Sequence, residues 1–181
     1  MTSVAWDGKK LVSDSQATAG MIIQPGGLRK IHEPEEGEYW DVQGHRVLAA
    51  GISGDGKSIE VVKEKLRIGV THKTKVEDID EIGFAALLIT EDGQCYRWQV
   101  NKRQGRPLHT DLLPLFPPAA AGSGQPFVLG VLSIGKSAEA AVRAAIRLDK
   151  YSGGDLQIWD LPPKPAIKST RPVVVAEATP A

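Results

Sequence analysis

Apolar and polar positions along this chain change period several times, and each change marks an element. The run Thr2-Ser3-Val4-Ala5-Trp6 alternates toward a strand, Asp7-Gly8 is a hairpin signal, and residues 9–14 read as the returning strand. The hairpin therefore carries Asp14 back beside Thr2. Residues 46–51 read as a buried strand, and Ile59, Val62 and Leu66 fall at helical spacing on one face of a helix over 59–66. Residues 84–90 and 94–100 are strand-like runs joined by a turn at Glu91-Asp92-Gly93. Ser137 caps a helix expected to run to about Tyr151, with Glu139 in the first turn favouring the helix dipole. Its inward stripe is Ala138, Ala141, Val142 and Ala145, and the next position at that spacing is Asp149. A carboxylate thus ends the apolar face. Buried charge must be paired or strongly hydrogen-bonded, and Ser152-Gly153-Gly154 follows directly. Residues 156–161 read as a last strand.

Between these elements lie segments without periodicity. Residues 33–38 form an acidic loop containing Pro34 and Gly37, expected to be a solvated connection. Residues 101–121, with Pro107, Pro114, Pro117 and Pro118, are expected to be a long exposed excursion. Residues 162–181 are a Pro- and Ala-rich tail, expected to be mobile or extended along a neighbour. The folded domain is accordingly placed at residues 1–161.

Composition narrows the setting. A chain of 181 residues is long enough for one domain with a real core. Its 22 basic and 22 acidic residues cancel, which gives no reason to expect nucleic acid or an anionic membrane as partner. The single Cys95 cannot form an intrachain disulfide and fits a reducing compartment. No apolar run approaches the roughly 20 residues of a membrane span, and the N-terminus lacks the regions of a signal peptide. A cytoplasmic location is expected.

Candidate chemistry begins at Thr2. A threonine behind the initiator is small enough for Met1 to be trimmed, which would leave the hydroxyl beside its own α-amine. Nucleophile and base would then share one residue, the amine having a reference pKa of about 8. With Met1 retained, Thr2 is an ordinary second residue. Residues 51–58, Gly51-Ile52-Ser53-Gly54-Asp55-Gly56-Lys57-Ser58, fit the phosphate-binding pattern G-x-x-x-x-G-K-[ST], with a strand before and a helix behind. On that reading Lys57 would meet the β/γ oxygens of ATP, and Glu91-Asp92 would pass for a magnesium-binding carboxylate, although a hairpin turn explains them better. Gly122-Ser123-Gly124-Gln125-Pro126-Phe127, followed by an apolar stretch to Ile134 and a break at Gly135, reads alone as a turn at a helix start.

Taken together, these segments carry a resemblance. Thr2, then Asp14-Ser15-Gln16-Ala17-Thr18-Ala19-Gly20, then Lys30-Ile31, resembles the start of a mature proteasome β subunit and of its bacterial relative HslV. The run 122–127 is similar to the G-S-G-x-P-[FY] signature of those families. Asp149-Lys150-Tyr151-Ser152-Gly153-Gly154 resembles the D-x-x-S-G-G element of proteasome β subunits, from which HslV departs. The likeness covers about residues 2–161 and is weakest through the Pro-rich excursion. It implies an α+β fold, the four-layer αββα sandwich of two antiparallel sheets found in N-terminal-nucleophile (Ntn) hydrolases.

The resemblance also implies a site. Thr2 would be the nucleophile, Lys30 held by Asp14 would supply positive charge, and the N–H of Gly54 would meet an oxyanion. Ser123, Asp149 and Ser152 would orient the amine and the attacking water. Ala17, Leu28 and Ile52 would line a small apolar pocket, and Thr18 would pair with the main chain of an extended peptide. Neither metal nor cofactor is expected. The phosphate-loop reading of residues 51–58 leaves every other matched segment unexplained, so no ATP binding is expected. The expected activity is threonine-type peptidase action on peptides or unfolded proteins within a self-assembled ring or stacked rings. Any ATPase unfoldase would be a separate partner, since this chain contains no ATPase domain. The alternatives are a catalytically silent ring protein that keeps Met1, and an Ntn amidase acting on a small amide.

Overall fold

The structure is a computed structural model that describes residues 2–19, 22–54, 56–76, 83–100 and 110–163. The chain opens with β1 (Ser3–Trp6) and β2 (Lys10–Ser13), antiparallel, with Val4 opposite Ser13 and Trp6 opposite Leu11. The Asp7 carboxylate fixes the turn by accepting from the N–H groups of Lys9 and Lys10 at 3.0 and 2.9 Å. A small hairpin of β3 (Ala17–Ala19) and β4 (Ile22–Gln24) follows, then β5 (Ile31–His32), β6 (Trp40–Val42) and β7 (His45–Ser53). Helix α1 spans Gly56–Ile68, and β8 (Phe84–Thr90) and β9 (Cys95–Val100) form the next hairpin. After them come β10 (Thr110–Leu115), β11 (Ala119–Gly122), α2 (Gln125–Ser133), α3 (Ala138–Leu148) and β12 (Gln157–Asp160).

Every strand pairing within the two larger sheets is antiparallel. One sheet has the order β11-β1-β2-β12; the other has β10-β9-β8-β7-β5, with β6 also on β7. Alternation along the central strands sends side chains into distinct apolar clusters. In β1, Val4 and Trp6 join Leu11, Ala49, Leu87 and Ile89, a cluster drawn from both sheets, while Ala5 joins Val128, Leu132, Ala141 and Val142 of α2 and α3. In β8, Leu87 and Ile89 enter the shared cluster, whereas Phe84, Ala86 and Leu88 pack with Ile59, Val62 and Leu66 of α1. β7 breaks strict alternation, since Val47 and Ala50 lie in the same cluster although three residues apart. A register shift between Val47 and Ala49 supplies the extra residue that resets the faces. Trp6, Trp40 and Trp98 are all fully buried, each contributing on the order of 1.5–3 kcal/mol of transfer free energy. No helix among the described residues is long and apolar enough to cross a membrane.

Several sequence expectations need correction. The helix expected over 59–66 begins earlier, at Gly56, and ends at Ile68. The helix after Ser137 ends at Leu148 rather than near Tyr151, and Asp149 is its C-cap in an extended conformation instead of another member of its apolar stripe. Residues 101–121 are not simply an excursion: residues 110–115 form edge strand β10 and 119–122 form β11, paired with β1. Pro114 is compatible with β10 because an edge strand has one side that donates to no ladder. Residues 101–109 lie outside the described residues, as do 164–181 of the expected tail.

The run 51–58, where no ATP binding is expected, begins as sheet rather than as a loop. Gly51, Ile52 and Ser53 are strand, opposite Leu87, Ala86 and Ala85, and the Ile52 N–H is committed to the Lys30 carbonyl at 2.8 Å. That N–H is not available to a phosphate. The glycine at 51 has a packing explanation instead, since a Cβ there would stand 2.6 Å from Val4 Cγ1. Asp55 lies outside the described residues.

Candidate active site

Two buried carboxylates organise the region around Thr2. Asp14 follows β2 and is fully buried. Its Oδ1 accepts from the Ser3 N–H at 2.9 Å and from Lys30 Nζ at 2.9 Å, and its Oδ2 from the N–H groups of Gln16 at 3.2 Å and Gly153 at 2.9 Å. A carboxylate has about four acceptor positions, so these four donors fill Asp14. Burial is the larger influence on Lys30 and lowers its pKa from the ordinary lysine value, while the Asp14 carboxylate pulls the other way through charge and hydrogen bond.

Asp149 sits just past α3. Its Oδ2 accepts from Ser123 Oγ and from Ser152 Oγ, both at 2.7 Å, and its Oδ1 from the Tyr151 N–H at 3.1 Å. Burial works to raise its pKa, but the two hydroxyls and the backbone N–H outweigh that and hold the carboxyl below the usual aspartate value. The hydroxyl protons can be followed from donor to acceptor. Ser152 gives its proton to Asp149, so in the 2.7 Å contact between Ser3 Oγ and Ser152 Oγ the donor is Ser3. Ser123 likewise spends its proton on Asp149, so its oxygen, 3.5 Å from the Thr2 carbonyl oxygen, lies beside that carbonyl without donating to it.

Ser3 joins these two centres. Its N–H meets Asp14 and its hydroxyl reaches the Ser152–Asp149 pair. Thr2, directly before it, is 1% exposed. The Gly122-Ser123-Gly124 run has its composition because of these neighbours: Gly122 has φ +93°, and a Cβ there would overlap the Thr2 carbonyl oxygen. A Cβ at Gly124 would overlap Ser3 Oγ. Pro126 then sits in the first turn of α2, at a position where no intrahelical N–H is needed.

The structure therefore brings together Thr2, Asp14, Lys30, Ser123, Asp149 and Ser152. Gly54 lies at the bend between β7 and α1, where a Cβ would stand 2.9 Å from Ser58 Oγ. The adjoining Ser53 approaches the same point as Thr2, since its Oγ would be 3.0 Å from a Cβ on Gly122. Leu28 is half-buried against the cluster that contains Ile52, and Ile52 is itself 1% exposed. Ala17 and Thr18 are half-buried in β3, with Thr18 opposite Ile23. Met1 and Gly20 are outside the described residues. No group of metal-ligating side chains occurs among the described residues.

Sequence reasoning missed Ser3, Gln16 and Gln157. The Gln16 side chain donates to the Lys150 carbonyl at 3.3 Å and its N–H to the Gly153 carbonyl at 2.9 Å, fastening the segment after Asp14 to the S-G-G run. For Ser3 a signal existed: it is a polar residue at an alternation position whose next member, Ala5, is buried. Nothing local marks Gln16 or Gln157, whose partners lie more than 100 residues away.

Comparison with solved structures shows the fold. The chain is similar to Thiobacillus denitrificans BPH in complex with epoxomicin, at 15% identity and a TM-score of 0.57, over 90% of this chain and 100% of that one. It is also similar to Anbu in the helical assembly of the Anbu complex from Pseudomonas aeruginosa, at 16% identity and a TM-score of 0.53, covering 88% and 80% of the two chains. Anbu (ancestral beta-subunit) from Yersinia bercovieri matches at 13% identity and a TM-score of 0.53, covering 88% and 81%. No family model matches the chain, and no curated protein matches it.

Proposed function

We propose that this chain is an N-terminal threonine hydrolase cleaving peptide bonds, with Thr2 as nucleophile once Met1 is removed. The observation that carries it is that both carboxylate centres converge on the first two residues of the mature chain. Asp14 holds Lys30 and the Ser3 N–H, while Asp149 holds the serine that lies beside the Thr2 carbonyl. An arrangement built only for stability has no need to spend two buried carboxylates on one strand end. The Ntn fold with its four αββα layers is part of the same proposal, and the three apolar clusters, one shared between the sheets and two flanked by helices, support it.

In this mechanism the Thr2 hydroxyl oxygen attacks the scissile carbonyl carbon and its proton passes to the Thr2 amine. The carbonyl oxygen becomes an oxyanion facing the Gly54 N–H. Collapse breaks the C–N bond, and the ammonium proton goes to the departing amine. Water then hydrolyses the Thr2 ester by the same steps in reverse. Asp149 has one acceptor position beyond its three donors, available to an N–H of the Thr2 amine, and Lys30 contributes positive charge that favours deprotonation nearby. Leu28, Ala17, Thr18 and Ile52 form an uncharged substrate-binding region, for which a methylene of substrate is worth about 1–3 kcal/mol. Assembly into homo-oligomers would confine such a site; the helical assembly of the similar Anbu complex supports self-association.

Intact mass and labelling by a peptide epoxyketone test the proposal together, because that reagent needs the hydroxyl and free amine of one residue. The similar BPH is a protein in complex with epoxomicin. Expected are loss of the Met1 mass, stoichiometric labelling at Thr2, and a fall in peptide hydrolysis of about 10⁴-fold or more in Thr2→Ala, with Thr2→Ser partly active. Retained Met1 in the assembled protein would instead establish the silent ring.

A further inference from the structure

Gln157 opens β12, in the four-stranded sheet, opposite Ser13 and hence one residue from Asp14. Its side chain crosses to the segment that enters the other sheet. Oε1 accepts from the Lys30 N–H at 2.7 Å and from the Ile31 N–H at 3.2 Å, and Nε2 donates to the Leu28 carbonyl at 2.7 Å. On the opposite side, the Lys30 carbonyl accepts from the Ile52 N–H of β7. The backbone of Lys30 is thus held from both sheets at once, and its side chain runs to Asp14 through 2.9 Å.

We propose that Gln157 is a positioning residue, gripping the chain on both sides of Lys30 so that the ammonium stands against Asp14. The chemistry of the grip selects a primary carboxamide: one oxygen must take two N–H groups while a donor in the same plane meets a carbonyl. Glutamate keeps the acceptor but sets a carboxylate oxygen against the Leu28 carbonyl. Leucine keeps the bulk and loses both. A lysine side chain has four rotatable bonds, so fixing its Cα is what allows the ion pair to define a position rather than a range. The same grip fixes Leu28. The catalytic part of this role rests on the proposed hydrolysis by Thr2; the structural part does not.

The test uses the full-length protein in its native assembly, with Gln157→Leu and Gln157→Glu. Hydrogen–deuterium exchange is read on a peptide covering residues 28–32, beside kcat and KM for a fluorogenic peptide. Expected in Gln157→Leu are exchange about tenfold faster or more in 28–32, wild-type exchange in β7 and β8, and a kcat lowered about 10- to 100-fold with KM raised less. Gln157→Glu, which keeps the acceptor for the Lys30 and Ile31 N–H groups but loses the donor to the Leu28 carbonyl, should fall between wild type and the leucine variant in exchange at 28–32 and recover part of kcat. Wild-type exchange in the leucine variant, or faster local exchange with unchanged kcat, overturns the proposal. If the leucine variant exchanges faster throughout, the glutamate variant decides: protection retained at 28–32 supports the grip, and its loss there overturns it. A wild-type protein that cleaves no peptide sinks the hydrolytic reading, and the exchange comparison then still upholds or overturns the grip.

Discussion

Asp14 and Asp149 are both buried aspartates within one hydrogen-bonded region, yet they are built differently. Asp14 has four donors, one of them the Lys30 ammonium, with no exposed surface; Asp149 has three donors, none of them from a cationic side chain, and 8% exposure. Asp14 anchors three separate segments, the starts of β1 and of the Gln16 stretch and the Gly153 loop, besides Lys30. Asp149 anchors mainly hydroxyls, whose protons can turn. One end of the site is thus a rigid electrostatic support and the other a set of hydroxyl donors around a carboxylate. Chemistry that shuttles a proton needs both, and in a single carboxylate the two demands conflict.

Stability should separate the two most sharply. Asp14→Ala leaves the Lys30 ammonium buried without its carboxylate and takes the carboxylate acceptor from the N–H groups of Ser3 and Gly153, for an expected loss of about 3–5 kcal/mol. Asp149→Ala removes hydrogen bonds to hydroxyls that can find other partners, for a loss of about 1–3 kcal/mol. Urea unfolding midpoints at neutral pH compare them, and equal losses would break the distinction. Acid should reveal the second carboxylate. The folded pKa of Asp149 is depressed below its ordinary 3.8, so the stability it gives is present above that value and is lost as pH falls through the folded pKa. The gap between wild type and Asp149→Asn should therefore be full at pH 6 and shrink below pH about 4, as read from denaturant titrations at each pH.

Ser3 is the link between the two ends, and Ser3→Ala should cost about 1 kcal/mol. If the proposed hydrolysis holds, its larger effect should fall on kcat, since Ser152 loses the donor that polarises it toward Asp149; an unchanged kcat would mean the ends act independently. The smallest effect is expected outside the site. Lys10 and Glu139 pair at 2.7 Å between β2 and α3, and the Lys10 hydrogen bond leads the influences that bring the Glu139 pKa to about 2. Lys10 is 39% exposed, so a double-mutant cycle there should return only about 0.2–1 kcal/mol.

The first hairpin, the β8–β9 hairpin and the apolar faces of α1 and α3 were legible in the sequence because each depends on neighbours within one or two turns of chain. Asp7-Gly8 set a turn, and Val4, Trp6 and Leu11 had one way to hide. The glycine-rich runs were legible as motifs but not as physics: residues 51–58 matched a phosphate loop letter by letter, and only the packed sheet made residues 51–53 part of β7. Strand β10 was hidden because Pro114 and charged neighbours erase alternation, and an edge strand needs little of it. By itself the sequence determined which short segments become strand, turn or helix and which residue types stand near the N-terminus. The tertiary structure alone decided that Asp14, Ser3, Gly153 and Lys30 meet at one carboxylate, that Asp149 caps its helix instead of lining it, and that Gln157 grips Lys30. Those contacts join residues up to 139 positions apart, and no local period can encode a meeting that exists only after two sheets have packed.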